Sequence, residues 1–216
     1  MILVSAKMIF WEVDVQAEFM LPGGRLDIPG AETIIGNIDL LVGAARQGRV
    51  FLISSADAHN PDDPELREWP PHCLNGTPGA ALLPEACASP RLAIPNQKGF
   101  ALSKDFGTFH QVTLEKNTLD VFDNPHADAL LARLNPAGSP AFESSPLFVV
   151  FGVATEYCVR CTVDGLLRRS HRVGIVTNAI QSIEQERGQQ ILESLHSTGA
   201  RLMTTEEALD LLRATL

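Results

Sequence analysis

Short apolar runs alternate with longer amphipathic stretches along most of this chain, and that alternation constrains its fold more than any other feature. Runs at 8–15, 50–55, 112–115, 147–152 and 173–176 have the length of strands, whereas 31–46, 127–134 and 155–169 carry a helical period. Repeated strand-helix-strand units bury their apolar faces when the strands lie parallel and the helices pack on the sheet. A helix over 183–196, a short strand over 201–203 and a last helix over 206–213, capped by Thr204 or Thr205, complete the pattern. The expected fold is a doubly wound α/β domain, its sheet mostly parallel with helices on both faces, spanning residues 1–216 as one unit. Residues 60–109, rich in Pro, Gly and Asn, read as a long irregular segment that serves as a lid or an oligomer contact.

Charge narrows the partners. A net charge of −9 with no dense Lys/Arg cluster argues against nucleic acid or an anionic membrane surface, both of which need a basic patch. No apolar run reaches bilayer length, and the opening residues, interrupted at Lys7, are too short for a signal segment. Four cysteines without a framework spacing fit reduced thiols. A cytoplasmic protein with a small-molecule substrate is expected.

In open α/β sheets, ligands bind outside the carboxyl ends of the strands, so the polar residues just after each apolar run are the candidates. Asp14 stands at the end of the first run, Asp57 and His59 follow the second, Lys116 the run at 112–115, and Cys158 the run at 147–152. A thiol at the start of a helix gains from the helix dipole, and a nearby carboxylate can act as its base, so Asp14, Lys116 and Cys158 suit nucleophilic catalysis. Lys98 and Lys104 compete with Lys116, which ends the cleaner strand pattern. Cys158 and Cys161 also spell C-x-x-C, the main rival reading of a dithiol redox site; it leaves Asp14, Lys116 and the histidines without a role.

Asp57, His59, Glu65 and His72 form a second cluster within sixteen residues. Asp and His two apart in an extended segment point to one side, and a Pro-rich turn can return Glu65 and His72 to complete a nitrogen and oxygen donor set. Such a set suits zinc, manganese or iron.

These residues resemble the isochorismatase-like cysteine hydrolases, and among them the nicotinamidases most closely. The motif D-V-Q-x-[DE]-F stands as Asp14-Val15-Gln16-Ala17-Glu18-Phe19, followed by Pro22-Gly23-Gly24. The metal motif stands as Asp57-Ala58-His59, Pro70-Pro71-His72-Cys73 and Gly76-Thr77, and the nucleophile motif as Gly152-Val153-Ala154-Thr155-Glu156-Tyr157-Cys158-Val159. The lysine motif K-x-x-Y-S-A-F is met only in part, with Leu119-Asp120-Val121 in place of Y-S-A between Lys116 and Phe122.

The resemblance implies a catalytic triad of Asp14, Lys116 and Cys158, with Lys116 lowering the thiol pKa. It implies a cis peptide between Val153 and Ala154 that aims backbone N–H groups at the reacting carbonyl. It further implies metal ligation by Asp57, His59 and His72, with Glu65 matching a fourth ligand of some members, and a pyridine ring held between Phe19 and Trp69. The implied activity is metal-dependent hydrolysis of nicotinamide to nicotinate and ammonia, in a homodimer or homotetramer. A related hydrolase of another small amide, ureide or carbamoyl substrate is the alternative.

Overall fold

A computed structural model describes residues 7–134 and 145–215. Residues 1–6, part of the opening segment considered above, lie outside them. Seven strands form one sheet in the order β3-β4-β2-β1-β5-β6-β7, and every neighbouring pair is parallel. The strands are β1 (Met8–Val13), β2 (Phe51–Asp57), β3 (Arg91–Ile94), β4 (Gln111–Lys116), β5 (Leu147–Val153), β6 (Arg172–Gln181) and β7 (Arg201–Met203). The central strands β1, β2 and β5 are buried along their whole length, which is why they read as continuous apolar runs instead of alternating ones.

Alternate residues of β1 feed two cores. Phe10 belongs to the face covered by α2 (Ile35–Arg46) and α6 (Thr205–Thr215), together with Leu41, Val42 and Leu212. Ile9, Trp11 and Val13 belong to the other face, with Leu130, Val163 and Leu195 from α3 (Ala127–Leu134), α4 (Arg160–Arg168) and α5 (Gln185–Ser197). Helices on both faces of a parallel sheet are the expected doubly wound arrangement. The short helix α1 (Ala17–Met20) lies beyond the carboxyl end of β1.

Several boundaries differ from the sequence reading, each for a local reason. Strand β1 stops at Val13 because Asp14 turns into the left-handed region at φ 52°. The helix expected from residue 155 opens with one π-helical turn, Thr155–Val159, before α4. The segment 60–109 is not an unbroken loop: it holds short 3₁₀ turns and the edge strand β3, whose half-exposed Arg91–Ile94 lacks a strong apolar signal. At α6 Thr204 is the cap, in a reciprocal box in which Glu207 N–H donates to Thr204 Oγ1 at 3.2 Å and Thr204 N–H to Glu207 Oε2 at 2.8 Å.

Gly152 brings β5 against the end of β1. It adopts φ 118°, and a Cβ there would sit 2.1 Å from Val13 O, so no other residue fits without moving the strands apart.

Candidate active site

The order β4-β2-β1-β5 places Lys116, Asp57, Asp14 and Cys158 side by side at the carboxyl edge of the sheet. Asp57 and Lys116 are register partners across β2 and β4, and Asp14 N–H donates to Ser55 O of β2 at 3.1 Å. Lys116 Nζ lies 2.9 Å from Asp14 Oδ2, donates to Asp57 Oδ1 and lies 3.5 Å from Cys158 Sγ. Asp14 meets the lysine as an ion pair. All four side chains are buried, whereas Lys98 and Lys104, the other lysines weighed above, are exposed.

Burial and mutual charge set the protonation of this group. Burial opposes a charged Lys116, but Asp14 and Asp57 outweigh it and hold the ammonium well above its ordinary pKa. Burial also raises the Asp57 carboxyl, and here Lys116, together with the His59 and His72 rings that face it, prevails, so Asp57 stays ionised far below the carboxylate range. For Asp14 burial wins: its pKa is raised despite Lys116, with Asp57 adding repulsion. Lys116 acts on the Cys158 thiol in the expected direction, downward, but does not prevail. Burial pushes the Cys158 thiol up, Lys116 only partly opposes this, and Asp14 and Asp57 push the same way. Cys158 is therefore a nucleophile that needs a base, and Asp14 is the carboxylate beside it.

Beside the triad, one donor atom each from Asp57, His59, Glu65 and His72 lie within 4.8 Å of one another. A parallel bridge between His59 and Leu74 ties the two halves of this loop together, and His59 N–H donates to Cys73 O at 3.1 Å. His72 Nδ1 lies 2.8 Å from Pro70 O, which leaves Nε2 turned toward Asp57 Oδ2 at 3.5 Å. Both ring nitrogens of His59 are buried without a hydrogen-bond partner; Nδ1 faces Asp63 Oδ2 at 3.4 Å and Nε2 faces Asp57 Oδ2 at 3.8 Å. Buried imidazole nitrogens without partners, converging with two carboxylates, fit a divalent ion. Glu65 is the most exposed donor, and burial with Asp57 nearby raises its pKa.

A pocket of about 380 Å³, measured to its open mouth, leads to Cys158 and the metal-type donors. Phe19, Trp69, Leu26, Ile28, Leu119 and Ile183 supply apolar wall. Phe19 lies 5.4 Å from the His72 ring, and Trp69 meets Tyr157 edge to face at 5.2 Å and 87°. Arg187 Nη1 donates to Tyr157 Oη at 3.0 Å from outside. The peptide between Val153 and Ala154 is cis, and both residues line the pocket.

The profile of the isochorismatase domain matches residues 9–93 and 88–207. The chain belongs to this family. Isochorismatase-like proteins similar to it include the nicotinamidase/pyrazinamidase of Mycobacterium tuberculosis, 26% identical over 197 residues, covering 88% of this chain and 95% of that protein. A zinc complex of the pyrazinamidase of Pyrococcus horikoshii shares the fold with a TM-score of 0.69 at 24% identity, covering 92% of this chain and 99% of that one. The N-carbamoylsarcosine amidase of Thermoplasma acidophilum shares it with a TM-score of 0.68 at 23% identity, covering 92% and 96%.

The residues assigned to the triad, the metal set and the ring contact thus lie together in one site, whereas the rival candidates Lys98, Lys104 and Cys161 lie outside it. What sequence reasoning missed is its support. Tyr157, next to Cys158, and Leu119, in the part of the lysine motif that departs from the family pattern, both line the pocket. Cys161, half-buried on α4, is a free thiol separate from the pocket lining.

Proposed function

We propose that the protein is a metal-dependent amidohydrolase that converts nicotinamide to nicotinate and ammonia. The observation that carries this reading is the meeting of Asp14, Lys116 and Cys158 beside a four-donor metal-type site at the base of a pocket walled by Phe19 and Trp69. Among the described residues no Lys or Arg lines that pocket, and Lys116 beneath it is already paired with two carboxylates. A neutral, flat amide suits such walls. The carboxylated ureide implied by the name of the N-carbamoylsarcosine amidase would find no Lys or Arg in the described lining to pair with.

In this mechanism Asp14 accepts the Sγ proton as Cys158 attacks the carboxamide carbon. The N–H groups of Ala154 and Cys158 hold the oxyanion, each contributing on the order of 3 kcal/mol. Asp14 passes its proton to the departing nitrogen, and ammonia leaves a thioester on Cys158. Asp14 then deprotonates a water that attacks the thioester, releasing nicotinate and restoring the thiol. Lys116 keeps its charge throughout and offsets the negative charge of Asp14 and the departing sulfur. Asp57, His59, Glu65 and His72 would hold the divalent ion, with zinc, manganese and iron all suited to the donor set. When bound, the ion supplies a Lewis acid that orients the ring nitrogen of the substrate.

Ammonia release from nicotinamide by purified, zinc-loaded protein tests the reading, with Cys158→Ala as control. Release that disappears in the variant supports it; no release from the parent protein overturns it and directs the search to other amides and ureides. The same reading expects a homodimer or homotetramer, which sedimentation of the purified protein checks.

A further inference from the structure

Strand β1 ends one residue before Asp14, yet β2 continues to Asp57, so the backbone of Asp57 extends past the last strand residue that could pair with it on that side. The side chain of Gln16 fills the place. Its Oε1 accepts from Asp57 N–H at 2.7 Å, and its Nε2 donates to Asp57 O at 2.8 Å and to Ala80 O at 2.8 Å. A primary amide offers the same donor and acceptor pair as a peptide group, so Gln16 acts as one more rung of the sheet.

The rung is itself anchored. Gln16 is fully buried, and its backbone runs antiparallel to 81–83, with Ala17 N–H donating to Ala81 O at 2.9 Å and Leu83 N–H to Val15 O at 3.0 Å. Asp57 is the residue that both Lys116 and the histidines address: Oδ1 accepts from Lys116, and Oδ2 faces His72 and His59. A shift of its backbone would move the carboxylate shared by the triad and the metal-type donors.

We infer that Gln16 is a positioning residue that holds Asp57 in place for metal binding and, through Lys116, for the triad. This rests on the metal reading above. Outer partners that orient a ligand typically change metal affinity by about 10–100-fold when removed. Gln16→Met keeps the length of the side chain and removes all three hydrogen bonds. Gln16→Glu keeps the acceptor for Asp57 N–H but turns an oxygen toward two carbonyls.

The test is a zinc titration of each chelator-stripped protein against a competing chelator, with thermal unfolding measured with and without zinc. The expected result is a zinc affinity about 10–100-fold weaker in both variants and a smaller rise in Tm on zinc addition. A purely structural role would lower both melting temperatures alike and leave the rise intact. Parent-like zinc affinity in either folded variant overturns the inference while leaving the metal reading standing. A parent protein that takes up no zinc overturns the metal reading itself, and this inference with it.

Discussion

Lys116 Nζ lies 2.9 Å from Asp14 Oδ2 in a fully buried cluster, and the same ammonium bonds Asp57 on its other side. One cation thus serves two carboxylates that are almost wholly buried at the base of the pocket. Replacing it with an uncharged chain of similar reach, Lys116→Met, leaves two like charges facing each other in low dielectric. Losing one partner of a buried ionic group costs about 3–5 kcal/mol, because the charge left behind is uncompensated. Urea unfolding of chelator-treated protein is expected to show a loss of that size, along with strongly reduced ammonia release. A variant as stable as the parent would mean that one of the carboxylates is protonated at rest.

Cys158 is close to Lys116 but is not among the four residues of the metal-type cluster. Cys158→Ala is therefore expected to abolish turnover while leaving zinc uptake near that of the parent. The substitution removes one buried atom, so the change in stability should stay within about 1.5 kcal/mol. Ammonia release and zinc titration on the same preparation check both halves. Turnover that survives in the variant would rule out a thioester route.

The chemistry was more legible in the sequence than its support. Asp14, Asp57, Lys116 and Cys158 could be found because a parallel sheet presents the ends of its strands to one edge, so each lay at or just beyond the end of an apolar run. His59, Glu65 and His72 could be found because metal donors are few in kind and lay close in sequence. Strand β3 was legible only as a weak run ahead of Lys98: four residues at a sheet edge, with only Ile94 fully buried, give too few apolar positions to mark a period. The role of Gln16 was not legible, since a side chain standing in for a strand rung leaves no periodic trace. The thiol pKa was misjudged because sequence shows the neighbouring lysine but not the depth of burial that outweighs it.

Glu12 gives the protein a pH dependence unconnected with catalysis. It is fully buried in the central strand, and burial raises its pKa to about 8 against hydrogen bonds from Ser54 Oγ at 2.7 Å and Val15 N–H at 3.1 Å. In the unfolded chain the group ionises near its ordinary value of 4.5. Between those two values the folded state holds a proton that the unfolded state has released, so stability falls as pH rises, by at most ~1.4 kcal/mol per pH unit. The contribution is complete below the unfolded value and lost by about pH 8. Urea midpoints from pH 5 to 9 should decline more steeply for the parent than for Glu12→Gln, which cannot titrate. Parallel curves would mean that Glu12 is ionised in the folded protein.

The aromatic wall should reveal itself in KM. Trp69 is only half-buried, and its packing is an edge-to-face contact with Tyr157 that Arg187 braces from outside, so removing it disturbs little of the core. Under the nicotinamidase reading its face covers the bound ring, and an aromatic pair contributes about 0.5–1.5 kcal/mol beyond the area it buries. With the area term added, Trp69→Ala is expected to raise KM about 10-fold or more, since each 1.4 kcal/mol is a factor of ten. The triad is untouched, so kcat should fall far less. Phe19→Ala opposite it is expected to raise KM too, but at a cost in stability of about 3–5 kcal/mol, because Phe19 is 6% exposed and packs into the core face with Met20 and Ile28. Steady-state kinetics on nicotinamide, set beside urea unfolding of both variants, separates the two roles. An unchanged KM in Trp69→Ala would place the ring elsewhere in the pocket, against Leu119 and Ile183.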